Sequence, residues 1–192
     1  ALEAIAPKGG SMSQDYESLI RSVPDFPQPG IMFRDITPLL SDATALRTVV
    51  EDHAKPFRDA QIDQVVAIEA RGYLLGAPLA LALGAGFVPV RKAGKLPSRT
   101  LSADYALEYG HATVEMHEDA LAADRRVLLV DDVLATGGTM EATIKLVEQT
   151  GAQIVGIAVL IELVGLGGRS HLNGLEMVSL IEYLVSGVFR LG

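Results

Sequence analysis

The chain contains no cysteine, so disulfide cross-links and thiolate catalysis are both excluded. That absence is compatible with a reducing compartment, and a cytoplasmic protein is the expectation. Positive charge is scarce as well: the formal net charge is −8 at pH 7, which argues against a general binder of nucleic acid or of membrane surfaces. No G-x-x-x-x-G-K-[ST] stretch exists, so a P-loop nucleotide triphosphatase is excluded, although "VLLVDD" by itself resembles a Walker B strand. The dinucleotide signature is also missing, because "GAGFVP" at 84–89 lacks the third glycine and precedes a strand instead of a helix. Residues 72–90 carry no charge and nearly reach spanning length, but Pro78, Pro89 and the break at Gly84–Gly86 divide them. They read as a buried helix, a tight turn and a buried strand. Neither a signal peptide nor a stop-transfer segment is expected.

What is present suits one α/β core and hardly two: 192 residues, of which 49% are hydrophobic and 21% charged. Residues 1–12, "ALEAIAPKGGSM", show no pattern and are expected to be an expression-tag remnant, leaving a single domain over 13–192. The apolar spacing of Tyr16, Leu19, Ile20 and Val23 predicts a short amphipathic helix over 14–23. "PDFPQPG" at 24–30 is a rigid turn, and "IMFRDITPLL" reads as extended up to Pro38. Ser41 or Asp42 can cap a helix running to about Ala60. Strands follow at 64–69, at the end of 73–90, at 126–131 and at 153–162, with a helix over 138–150 and a last apolar segment "LEMVSLIEY". Residues 92–117 interrupt that rhythm and read as an irregular ribbon, beginning with the basic island "RKAGKLPSR" at 91–99. Strands alternating with helices predict a parallel sheet with helices on both faces. Ligands in such sheets sit at the carboxyl ends of the strands. Three of those ends are polar here, at Glu69–Gly72, Arg91–Lys92 and Asp131–Asp132, which places one site above the sheet.

The most informative stretch is "VLLVDDVLATGGT", residues 127–139. Its strand emerges on Asp131 and Asp132, and the segment Ala135-Thr136-Gly137-Gly138-Thr139 then opens a helix. Bare amides at a helix N-terminus, with the dipole behind them, make an anion site. The glycines allow close approach of the main chain, and the threonines add hydroxyl donors. Two carboxylates beside a phosphate would repel it, so they must face something else, and vicinal hydroxyls are natural partners. A phosphate close to a diol describes a ribose 5-phosphate. Alternatively, the segment is an ordinary helix start with acids nearby.

That stretch resembles the phosphoribosyl pyrophosphate motif of the type I phosphoribosyltransferases. "FPQPGIMFRDITPLL", "IEARGYLLGAPLA", "FVPVRKAGKLPSRT", "YALEYG" and "ELVGLGGR" extend the likeness in order to the adenine-specific branch of that family, from about residue 24 to 169. The tail beyond Arg169 matches only loosely. The resemblance implies a type I phosphoribosyltransferase fold with a small hood at about 24–40 and a mobile lid at about 92–110. It implies purine salvage: adenine and phosphoribosyl pyrophosphate giving AMP and pyrophosphate, with magnesium held mainly by substrate and water and no direct protein ligands. It favours a homodimer.

By the same resemblance, Asp131 and Asp132 hold the ribose hydroxyls and residues 135–139 the 5-phosphate. Arg71, in a turn at Glu69–Gly72 that in this family often holds a non-proline cis peptide, meets the pyrophosphate together with Arg91, Lys92 and Lys95. Glu108 handles the proton at the adenine imidazole, and Tyr105 and Tyr109 help close the lid. Met32, Phe33 and Arg34 receive the adenine edge, with Phe33 and Val133 on the two faces of the base. Structural readings stand beside these: Arg71 as partner of a nearby carboxylate, Arg91 as a strand-end residue, Glu108 as a solvated loop glutamate, Phe33 as simple packing. His53, His111, His117 and His171 read as surface or structural. Two other functions stay open, a purine-sensing regulator and transfer to another purine such as hypoxanthine or xanthine.

Overall fold

The computed structural model describes residues 15–106 and 111–184, so residues 1–12, Glu108 and Tyr109 lie outside the described chain. At its centre is strand β3 (Gln64–Ile68), whose last four residues are all buried. It pairs in parallel with β4 (Gly86–Lys92) and with β7 (Arg126–Leu134). Strands β8 (Gln153–Val164) and β9 (Met177–Leu184) continue the parallel sheet beyond β7. On the far side of β4 lie β6 (His111–His117), antiparallel to β4, and then β5 (Thr100–Ala106), antiparallel to β6, giving the order β5-β6-β4-β3-β7-β8-β9.

The apolar runs of β3 and β7 explain why the sheet is covered on both sides. Val65 and Leu128 point to a core under α2 (Ala43–Ala54) and α3 (Arg71–Leu83), while Val66 and Leu129 point to a core under α4 (Gly138–Thr150). Alternation along a strand requires that division, and burial on both faces requires both residues of each pair to be apolar. Asp42 caps α2 by accepting from the amides of Thr44 and Ala45 at 2.8 and 2.9 Å. Helix α3 lies close enough to β3 that a Cβ on Gly76 would stand 2.6 Å from the Cβ of Ala67.

Several expectations are corrected. Residues 14–23 do not form an amphipathic helix: a three-residue 3-10 turn, Glu17–Leu19, gives way to strand β1 (Arg21–Pro24), paired antiparallel with β2 (Met32–Asp35). The helical spacing was genuine, but the ribbon pairs Val23 with Phe33 and Pro24 with Met32. "IMFRDITPLL" is extended only to Asp35, because Thr37 and Pro38 open the short helix α1 (Thr37–Ser41). Proline at a first turn lacks only an amide the helix does not need. Helix α2 ends at Ala54 and continues as a 3-10 turn, Lys55–Phe57, instead of running to Ala60. Residues 92–117 contain a regular hairpin, with seven cross-strand pairs from Thr100↔His117 to Ala106↔His111. Strand β7 continues through both aspartates to Leu134, and the last apolar segment is strand β9.

Candidate active site

The motif strand β7 delivers its carboxylates from a dry core, since Val127 to Val130 are at most 1% exposed. Asp132 is itself only 4% exposed, whereas Asp131 keeps part of its surface open. Both line a cleft of about 360 Å³ above the carboxyl ends of β3, β4 and β7. Ile68, Glu69, Ala70 and Arg71 form one wall, Lys92, Tyr105 and Val114 another. Asp131 Oδ1 accepts from the Asp132 amide at 2.8 Å. Gly72, in the first turn of α3, sits so close that a Cβ there would stand 3.0 Å from that oxygen.

The electrostatics of the pair are unfavourable in the free protein. Burial and the adjoining charge of Asp132 push the Asp131 carboxyl well above the usual carboxylate range. Burial raises Asp132 too, against the pull of the Arg71 guanidinium. Arg71 Nε lies 2.8 Å from Asp132 Oδ2, yet it is not aligned as a hydrogen bond, and that buried oxygen has no hydrogen-bond partner. Donors approaching this edge of the cleft would meet acceptors with unspent capacity.

Beyond Leu134 the chain turns through Ala135–Gly137 into α4. Gly137 takes φ 89°, a conformation natural to glycine, and no side chain caps the helix N-terminus. The loop encloses a second cavity of about 90 Å³, which shares Asp131, Val133, Ala135 and Thr139 with the larger cleft. The glycine turn and the two carboxylates therefore occupy one continuous surface.

The basic residues divide. Lys92 lines the cleft. Arg91 and Lys95 instead hold Glu69, through Arg91 Nε to Oε2 at 2.7 Å and Lys95 Nζ to Oε1 at 2.8 Å. Burial alone would push Glu69 up, but hydrogen bonds from Lys95 and Arg91 outweigh it and hold the carboxyl below its ordinary value. Arg71 does pair with a carboxylate, Asp132, within the cleft. The Glu69–Ala70 peptide is cis.

Met32, Phe33 and Arg34, expected to receive the adenine edge, do not line the cleft; of the three, Phe33 lies beside it, its ring centroid 4.9 Å from the guanidinium carbon of Arg71. Phe33 stacks edge-on against Phe26 at 5.1 Å, and the Arg34 guanidinium lies 3.7 Å over the Tyr183 ring. Val133 does line the cleft. His53 is buried, with Nε2 3.0 Å from the Val159 carbonyl, and His171 Nδ1 lies 2.9 Å from Glu141 Oε2. Among the described residues no group of three or more His, Asp or Glu is placed to hold a metal ion. No described helix is long and apolar enough to cross a membrane.

Two features escaped the sequence reading. Glu69 is a resident counter-ion for two of the basic residues, a role hinted at only by its place before Arg71. Gly168 packs directly on the Ala135–Gly137 loop; the glycine-rich "VGLGG" signalled a bend but not its partner.

The chain is similar to known proteins in sequence and in fold. The phosphoribosyl transferase domain family matches residues 42–173. An adenine phosphoribosyltransferase from Nocardioides sp. is 58% identical over 168 residues, 85% of this chain and 91% of that protein. The solved adenine phosphoribosyltransferase of Thermoanaerobacter pseudethanolicus is 51% identical and superposes with a TM-score of 0.86, over 88% of this chain and 98% of the other. The Saccharomyces cerevisiae enzyme, solved with an imino-altritol bisphosphate and adenine, is 39% identical with a TM-score of 0.83, over 88% and 97%.

Proposed function

The chain belongs to the adenine phosphoribosyltransferases, and on that premise we infer that its cleft transfers the 5-phosphoribosyl group of phosphoribosyl pyrophosphate to adenine, giving AMP and pyrophosphate in purine salvage. The observation that carries this reading is the shared wall of the two cavities, which sets an anion cradle beside a carboxylate pair. In the reaction adenine N9 bonds to the anomeric carbon as the carbon–oxygen bond to pyrophosphate breaks, and a proton leaves the imidazole ring. Asp131 and Asp132 accept hydrogen bonds from the ribose hydroxyls. The amides of 135–139 and the hydroxyls of Thr136 and Thr139 hold the 5-phosphate.

Arg71 and Lys92 face the pyrophosphate, and Arg91 and Lys95 join them on exchanging Glu69 for its oxygens. Charge grows on the leaving group as the bond breaks, so cations already in place favour the transition state over the ground state. Glu108 takes the imidazole proton. The ribbon of Met32–Arg34 recognises the adenine edge, and the 92–110 segment closes over the reactants to exclude water. Magnesium, when bound, neutralises pyrophosphate charge and is held mainly by substrate oxygens and water, as suits a cation that keeps its hydration shell. A cytoplasmic location accords with the absence of cysteine.

The decisive assay supplies phosphoribosyl pyrophosphate and magnesium with adenine, hypoxanthine, xanthine or guanine in turn. Adenine should be consumed at least ~100-fold more efficiently, because a site built for an amino edge leaves buried groups unpaired against an oxo edge. Preference for an oxopurine would sink the hood assignment, and nucleotide binding without turnover would favour a regulator.

A homodimer is supported by the outer face of α3, where Leu74 and Leu81 are 50% and 84% exposed. Light scattering should report a dimer for the native chain and a monomer for Leu74→Glu with Leu81→Glu. A native monomer would contradict it.

A further inference from the structure

The phosphate loop does not stand alone. Behind it lies a 3-10 turn, Gly168–His171, reached from β8 through the "VGLGG" bend. A Cβ on Gly168 would stand 2.4 Å from the Ala135 carbonyl oxygen and 2.9 Å from Leu134 Cγ, so the turn meets the loop backbone to backbone. A Cβ on Gly137 would in turn stand 2.8 Å from the Gly168 carbonyl oxygen and 3.1 Å from His171 Cβ. The two glycines thus permit one close contact from both sides.

The turn is fastened at both ends of the loop it touches. Arg169 holds Glu162 with two prongs, Nε to Oε1 at 2.7 Å and Nη2 to Oε2 at 2.6 Å. Glu162 is 6% exposed and pairs in the sheet with Leu134, the last residue before the loop. His171 Nδ1 reaches Glu141 Oε2 at 2.9 Å, and the Glu141 amide donates to the Gly137 carbonyl at 2.8 Å, at the loop's far end. A fork-shaped pair to a buried carboxylate fixes orientation as well as distance.

We propose that the 168–171 turn is a brace that sets the shape of the phosphate loop, with Arg169 as its positioning residue acting through Gly168. The proposal rests on residues 135–139 being the 5-phosphate site. The loop amides must converge on a phosphate, and displacement by a fraction of an ångström weakens every such bond together. A brace pressed on the Ala135 carbonyl and on Gly137 holds the stretch whose amides do that work. Arg169 lines neither cavity.

The test compares AMP with adenosine by titration calorimetry, because the ratio of their dissociation constants isolates the contribution of the 5-phosphate. In the native enzyme AMP should bind far more tightly. Arg169→Gln should shrink that ratio about tenfold while leaving adenosine affinity within about twofold, and Arg169→Lys should restore part of it. Gly168→Ala should shrink it further; if that variant fails to fold, Arg169→Gln still decides. An unchanged ratio in Arg169→Gln overturns the brace. A native enzyme that does not distinguish AMP from adenosine overturns instead the phosphate assignment on which the brace depends.

Discussion

Replacing Asp131 and Asp132 together with asparagine should reduce kcat/KM for phosphoribosyl pyrophosphate by roughly 30- to 140-fold. In the proposed site each carboxylate accepts from a ribose hydroxyl, and a hydrogen bond to a charged group contributes about 1.5–3 kcal/mol against roughly 1 for a neutral one. Weakening two such bonds costs about 2–3 kcal/mol, and every 1.4 kcal/mol is tenfold. Asparagine also turns donor atoms toward hydroxyls that must donate. Steady-state kinetics with varied phosphoribosyl pyrophosphate checks the result, and retention of native efficiency would remove the diol assignment.

The same carboxylates make an opposite prediction for stability. Asp131 is raised well above its ordinary value by burial and by Asp132, so the folded state favours its proton more than the unfolded chain does. The sign follows: its contribution to stability is fully present below the unfolded carboxylate range and is lost as pH rises through the higher folded value. At neutral pH the carboxyl therefore supports the fold less than it does in acid. Asp131→Asn, which leaves the Arg71–Asp132 contact in place, should melt roughly 2–4 °C above the native protein at pH 7. The advantage should shrink on acidification and vanish below about pH 4. A Tm difference independent of pH would show that the carboxylate is not strained by burial. Activity lost with stability gained is the signature of a charge kept for binding.

How much of this was legible in the sequence depended on whether the forces were local. The helix after the phosphate loop was expected over 138–150 and runs Gly138–Thr150, because strand, glycine turn and helix adjoin in the chain. The adjoining aspartates and the glycine turn after them were visible for the same reason. Residues 14–23 were misjudged because apolar spacing alone cannot tell a helix from a ribbon whose partner, β2, lies ten residues on. The hairpin β5–β6 was obscured by its polar face, Ser102 and Asp104 opposite Glu115 and Thr113, although Leu101, Ala103 and Tyr105 alternate with them. The engagement of Arg91 and Lys95 with Glu69 depends on the β3–β4 register, which brings the Glu69 amide to the Val90 carbonyl at 2.9 Å. The contact of Gly168 with Ala135 joins segments over thirty residues apart, and no local pattern encodes it.

Glu108→Gln should lower kcat by about 100-fold or more while changing the KM for phosphoribosyl pyrophosphate no more than about threefold. Glu108 lies outside the described residues, but the strand that leads to it ends beside the site. Tyr105 lines the cleft, and the Ala106 carbonyl is 3.7 Å from where a Cβ on Gly138 of the phosphate loop would stand. Adenine must shed its imidazole proton as N9 becomes the nucleophile, and a carboxylate at that ring accepts it in the transition state alone. General acid–base groups of this kind contribute about 10²–10⁴-fold. Glutamine keeps the shape and one acceptor oxygen but cannot take the proton, so the loss should fall on turnover. In the proposed site the ribose and phosphates are assigned to Asp131, Asp132 and residues 135–139, and the substitution replaces none of them. A parallel fall in kcat and in phosphoribosyl pyrophosphate affinity would mean that Glu108 organises the closing segment instead of moving a proton.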